Sequence, residues 1–235
     1  MDISLLILGF LIGMRHALDA DHVAAVASLV SGNSDTKSTV LHGAVWGLGH
    51  TITLFLFGSM ALIVDGVIPN EFAHSLEFAV GIMLVLLGMD VLYRLYKKRV
   101  HFHIHKHGDG KKHFHSHLHA HLYDETTPHH KDNHEHQHKA PFPKRALFVG
   151  LMHGMAGSAA LIILTVNTVE TPLMALGYIL IFGLGSILGM ALLSLVISIP
   201  LKYSAQNIKW LHNSIHISVA FFTVGIGGMI VFNYL

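Results

Sequence analysis

Six stretches of about 20 or more mostly apolar residues divide this chain: 3–30, 40–64, 76–95, 146–166, 173–199 and 215–235. Each is long enough to cross the hydrocarbon core as a helix, the one open-ended backbone form that satisfies its own hydrogen bonds in lipid. Only 12% of the 235 residues are charged, against about 25% in a soluble domain, and the mean hydropathy is +0.53. The expected fold is an all-α integral membrane protein of six transmembrane helices. A polar segment, 101–139, interrupts the apolar pattern between the third and fourth stretches. It is too polar and repetitive to bury a core and reads as disordered. The expected organisation is a first three-helix half (1–99), a His-rich disordered loop (100–140) and a second three-helix half (141–235).

The basic residues orient the bundle. Apart from Arg15, all Lys and Arg fall in the loops after the first, third and fifth helices: Lys37, the eleven from Arg94 to Arg145, Lys202 and Lys209. The positive-inside rule places those loops in the cytoplasm and both termini outside. The expected location is the inner (plasma) membrane, spanned several times. The N-terminus has no basic n-region and no small-residue cleavage site, so it does not read as a signal peptide. A net charge of +1 gives no sign of a nucleic-acid partner.

The two halves resemble each other. GMRHALDADHVAAVASLV from Gly13 matches GLMHGMAGSAALIILTV from Gly150, setting His16 against His153. WGLGHTITL from Trp46 matches FGLGSILGM from Phe182, setting His50 against Ser186. LLGMDVLY from Leu86 faces IGGMIVFN from Ile226, which pairs Gly88 with Gly228. Three is an odd number of spans, so such halves have opposite topology. Inverted repeats are a transporter architecture with the site at the repeat interface.

The chemistry is concentrated in Arg15-His16-Ala17-Leu18-Asp19-Ala20-Asp21-His22, inside the first apolar stretch. A charge at the bilayer centre costs about 2.5–3.5 kcal/mol even on a lenient scale, so these residues need a reason. Imidazole and carboxylate are ligands of borderline divalent metals such as Ni, Co and Zn. With no cysteine in the chain, thiolate ligation is excluded. On an unbroken helix His16, Asp19 and His22 share an arc of roughly 120°, with Arg15 placed to pair with Asp19. Asp21 falls outside it, so either Asp21 has another role or the helix breaks near 19–21. An internal Arg15–Asp19 salt bridge would explain only two of the residues. His50 lies at midplane depth in the second helix, and the repeat brings His153 to the same region. The expected metal-binding residues are His16, Asp19, Asp21, His22, His50 and His153. Asp90 is four residues from Arg94 and reads as its partner rather than as a relay. His42, His74, His212 and His216 lie near helix ends, where solvation accounts for them, although His212 and His216 would share a helix face.

Fourteen of the residues from 101 to 138 are histidine. Imidazoles at this density bind Ni, Co, Zn and Cu weakly and in number. The segment reads as a metal buffer that transport does not require.

RHALDADHVAAV resembles the first signature of the nickel/cobalt transporter family, H-x(4)-D-H in a membrane helix, which His16, Asp21 and His22 match. LGHTITL around His50 is similar to the second signature. The six-span form resembles the urease-accessory nickel permeases of that family, while the His-rich loop resembles that of nickel/cobalt efflux proteins. The resemblance implies secondary transport of Ni²⁺ or Co²⁺ without a resident cofactor. It also implies cytosolic metal-accepting partners that serve urease or hydrogenase. The donor set would accept Zn²⁺ as well. Uptake along the membrane potential is the expected function, with efflux as the alternative. A histidine-box di-iron membrane enzyme fits less well, because its adjacent His pairs occur only at 129–130, in the loop. A membrane-anchored metal sensor would leave the midplane ligands unexplained.

Overall fold

In this computed structural model, residues 3–31, 35–64, 70–97, 104–106, 112–114, 142–155 and 171–234 are described. They form seven helices: α1 (Ile3–His16), α2 (Ala20–Val30), α3 (Thr36–Val64), α4 (Asn70–Lys97), α5 (144–155), α6 (Pro172–Asn207) and α7 (Lys209–Asn233). Four of them, α3, α4, α6 and α7, are long and apolar enough to cross a membrane. The pair α1 and α2 makes a fifth span if read as one broken helix, bent by 59°. The fourth expected stretch, 146–166, is seen only as α5, because its remainder lies outside the described residues. The protein is therefore a helical, multi-pass membrane protein with four to five candidate spans. Most of the segment 101–139 also lies outside the described residues. Within it, Ile104–Lys106 (β1) and Lys112–Phe114 (β2) pair antiparallel, His105 opposite His113. Those six residues depart from the expected disorder.

Local sequence accounts for the helix ends. The Asp35 carboxylate accepts from the Ser38 amide at 2.9 Å, capping α3, and Thr171 with Pro172 behind it opens α6. The fifth apolar stretch stops at Pro200, yet α6 continues through the proline to Asn207. Its 36 residues span about 54 Å, well beyond a bilayer core of about 30 Å.

Glycines set the packing. A Cβ on Gly13 of α1 would fall on the carbonyl of Phe182 in α6, and one on Gly150 of α5 would fall on the carbonyl of Trp46 in α3. Gly185 abuts the Phe10 carbonyl and Met14 amide, while Gly49 abuts the Leu147 carbonyl and Leu151 amide. Gly88 meets Ala220 O and Val224 N, and Gly227 meets Gly81 O and Val85 N. Each pair of contacts repeats between the halves, atom type for atom type. The third pair corrects the alignment: Gly88 corresponds to Gly227, one residue from the Gly228 that sequence similarity selects. Gly228 has open space around it. The result is a bundle in which α1 lies on α6, α3 on α5 and α6, and α4 on α7.

The end of α6 and the start of α3 meet through Lys202 and Thr36, Nζ to Oγ1 3.4 Å. At the same end Asp90 pairs with Arg94 at 3.2 Å, as the spacing predicts, and more closely with Arg145 at 2.6 Å. Arg94 also donates to the Ser28 carbonyl at 3.4 Å. This network ties α4 to α2 and α5.

Candidate metal centre

The break between α1 and α2 builds the centre. Leu18 and Asp19 donate their amides to the Arg15 and His16 carbonyls at 2.8 and 3.1 Å, closing α1 with tight turns. Asp19 then adopts an extended conformation as the N-cap of α2, and the Val23 amide bonds back to its carbonyl. Aspartate favours this position because its carboxylate can accept from the first-turn amides. Here the carboxylate makes no cap bond. It accepts instead from His16 Nδ1 at 2.8 Å. The Arg15–Asp19 ion pair weighed as the alternative does not form, because the turn has carried Asp19 off the helical arc that pairing needs. Asp19 itself is more than half exposed.

The same turn swings Asp21 into the bundle. Its Oδ1 accepts from His22 Nδ1 and its Oδ2 from His153 Nε2, each at 2.9 Å. Asp21 thus bridges α2 and α5, and α2's N-terminal dipole favours its charge.

Four imidazoles come together: His16, His22, His50 and His153. Their ring centres are 4.3 Å apart for His16–His22, 4.2 Å for His22–His153, 5.2 Å for His22–His50 and 5.3 Å for His16–His50. His22, His50 and His153 are almost wholly buried. Phe182 lies beside His16 at 5.4 Å and Trp46 beside His153 at 5.6 Å, a further correspondence between the halves. Ser186, set against His50 by the repeat, is also buried, and its hydroxyl has no partner among the described residues.

The hydrogen bonds fix which nitrogens are bare. A neutral imidazole carries one N–H. His16 and His22 donate through Nδ1 to carboxylates, which leaves both Nε2 atoms with lone pairs. His153 donates through Nε2, which leaves Nδ1. His50 has no partner on either nitrogen among the described residues, and His16 Nε2, His22 Nε2 and His153 Nδ1 are buried and unpartnered in the same sense. An unsatisfied buried polar atom costs about 1–3 kcal/mol. Five such atoms on four rings, converging in one place, form a costly arrangement that a bound cation would relieve. The donor atoms form two sets, each within 4.8 Å: His16, His22 and His50, and Asp21, His22 and His153. His22 belongs to both. Five of the six expected residues thus converge, and Asp19 stands behind His16 as its hydrogen-bond partner. Trp46 and Phe182, which wall the centre, carried no signal in the sequence beyond their place before the two GLG turns.

The sequence has relatives among known proteins. The chain is 36% identical over 212 residues to the urease accessory protein UreH of Bacillus sp. (strain TB-90), covering 90% of this chain and 83% of that protein. Over 95 residues, 39% of this chain and 44% of the relative, it is 26% identical to a Methanocaldococcus jannaschii protein carrying the name of a nickel/cobalt efflux system. It is 37% identical over 82 residues, 34% of the chain and 22% of the relative, to the chloroplast protein FOR GROWTH AND FERTILITY 1 of Arabidopsis thaliana. No family model and no solved structure matches.

Proposed function

This chain belongs to the nickel/cobalt transporter family, and from that premise we propose that it imports Ni²⁺ or Co²⁺ through the four-histidine centre. The observation that carries the reading is the set of four bare, buried imidazole nitrogens beside one bridging carboxylate. Such nitrogens suit borderline divalent ions, and the carboxylate offsets part of the ion's charge. Asp19 and Asp21 hold the rings so that lone pairs face inward, the arrangement that ligating histidines usually need. The ion would replace part of its water shell with the inward lone pairs of His16, His22 and His50 on one side of His22, or of His22 and His153, beside the Asp21 charge, on the other. Because His22 is common to both sets, transfer between them keeps one bond throughout.

The reciprocal glycine contacts support a reading of the fold as two inverted three-helix halves, with a sixth span that begins at α5. The basic residues support cytoplasmic loops after the first, third and fifth spans. In that orientation a divalent ion moving inward gains about 4.6 kcal/mol per 100 mV, a concentration ratio of over a thousandfold. No coupled ion is then required. The likeness to a urease accessory protein supports delivery to cytosolic metal-accepting proteins that serve urease. A second reading is efflux, favoured by the name of the archaeal relative. Zn²⁺ fits the same donors.

Nickel-63 flux measured in both directions, in vesicles of known orientation, tests the proposal. Inward accumulation that collapses with the membrane potential is the expected result. Accumulation only in everted vesicles would establish efflux, and no flux either way would overturn transport.

Two outcomes bear on the parts. Replacing Asp21 with Asn removes the charge and one of two good acceptors, so nickel uptake should fall about 10- to 100-fold, the usual cost of losing a ligand's partner. Unchanged uptake would show that His22 and His153 need no carboxylate. Deleting residues 101–138 should leave the initial uptake rate within about twofold while reducing the nickel bound to purified protein by several ions. A free imidazole titrates near pH 6.5, and protons compete for the metal-binding nitrogen. Loop-bound metal should therefore leave as pH falls from about 7 to 5. A deletion that stops uptake completely would place the loop on the path.

A further inference from the structure

The histidines near the helix ends include a pair that solvation does not explain. His212 and His216 stand one turn apart on α7, with Nε2 atoms 3.1 Å from each other. His216 is buried. Behind them, the Ser204 hydroxyl donates to the Leu201 carbonyl at 3.0 Å. Its oxygen therefore accepts from His212 Nδ1, 3.2 Å away. That bond places the His212 proton on Nδ1 and leaves Nε2 with its lone pair, directed at His216.

We infer that His212 and His216 form a second binding site for the transported divalent ion, at the end of the bundle where α6 passes into α7. Two nitrogens each about 2.05 Å from one metal, at an angle between 90° and 109°, are about 2.9–3.3 Å apart. The separation of the two Nε2 atoms lies within that range. Protons balance without a net release. In the metal-free pair His216 Nε2–H donates to His212 Nε2; with the ion bound, that proton moves to His216 Nδ1 and both Nε2 atoms face the metal. Ser204 acts as a positioning residue, supplying the outer hydrogen bond that ligating histidines usually carry.

Its place suits a way-station. His216 is seven residues from Thr223 along α7, about 10 Å. Thr223 Oγ1 in turn lies 2.9 Å from Ser28 Oγ and 3.2 Å from the Ala24 carbonyl in α2, the helix that carries His22. The pair is thus on the side of the centre towards which α2 runs, which the basic residues mark as cytoplasmic. The inference rests on the transport reading for the identity of the ion, and the test separates the two.

Full-length protein crystallised with Co²⁺ and measured at the cobalt edge gives a residue-resolved answer. The expected result is one anomalous peak in the four-histidine centre and a second between His212 and His216. A central peak alone at saturating Co²⁺ would overturn the second site and leave transport intact. A peak at the pair alone would support this site and count against the centre, and no peak at either would overturn both. In vesicles, His216→Asn should lower the maximal nickel flux about 10-fold with KM at the opposite face unchanged. Co²⁺ bound at the pair should disappear in the same variant while the central peak stays. A merely structural role would instead lower the amount of folded protein and leave KM and the flux per folded molecule alike. That pattern, with the second peak retained, would overturn the inference.

Discussion

Replacing His22 with Ala should reduce nickel flux by more than about 100-fold while the protein still inserts. His22 is the residue shared by both donor sets, so its loss removes one nitrogen from each and leaves Asp21 with a single imidazole partner. Losing an outer hydrogen-bond partner alone costs about 10- to 100-fold, and a direct donor should exceed that range. His50→Ala should come next in severity. It depletes only the set containing His16, and its ring makes no hydrogen bond among the described residues that folding would miss. Removing a buried imidazole with no partner also relieves an unsatisfied polar group. His50→Leu should therefore keep or raise thermal stability while abolishing flux, a combination that a purely structural histidine would not show. Near-normal flux in His22→Ala would sink the assignment of the centre.

The second large effect is on assembly. Gly150→Leu should abolish the folded bundle or lower its unfolding temperature by many degrees, measured on purified protein in detergent. Any side chain at 150 must occupy the space of the Trp46 carbonyl, and backbone cannot step aside as a side-chain tip does. Overpacking of a well-filled site costs about 1–3 kcal/mol, occasionally more. The collision here is with main chain beside Trp46, whose ring also lies against the centre. Gly228→Ala is the internal control. Open space surrounds it, and a helical glycine replaced by alanine gains roughly 0.5–1 kcal/mol. Equal stability in the two variants would refute glycine-mediated packing as the determinant of the bundle.

Much of this arrangement is legible in the sequence because lipid leaves a chain few options. The long apolar runs are helical over their described residues apart from the break after His16, Asp90 found Arg94 four residues away, and the polar cluster broke its helix close to where it fell. The departure of Asp19 and Asp21 from their places on an unbroken helix has one cause, the break that the sequence left open. A 100° projection holds only for a straight helix, and two reverse turns after His16 rotate everything beyond them. Asp19 consequently supports a ligand from outside, and Asp21 joins the cluster. Arg145 could not be matched to Asp90 from sequence, because their contact crosses 55 positions. His212 and His216 were hidden for a different reason. Their spacing was visible, but the buried environment comes from α6 running past Pro200, which a proline in an apolar run does not advertise. The third matched segment is offset by one residue in its contacts, because side-chain similarity favours Gly228, whereas the close backbone approach occurs at Gly227.

Dividing the donors around His22 bears on how long an ion stays. Gathering all three remaining imidazoles and Asp21 around one ion would make a tight trap, and every 1.4 kcal/mol of added binding lengthens residence about tenfold if association is unchanged. A carrier that must turn over cannot use that depth. Two shallower wells joined by a shared wall allow selection among ions by nitrogen preference at each well. On the proposed path the barrier between the wells would stay low, because the ion would never be stripped to a bare charge in a medium that cannot solvate it.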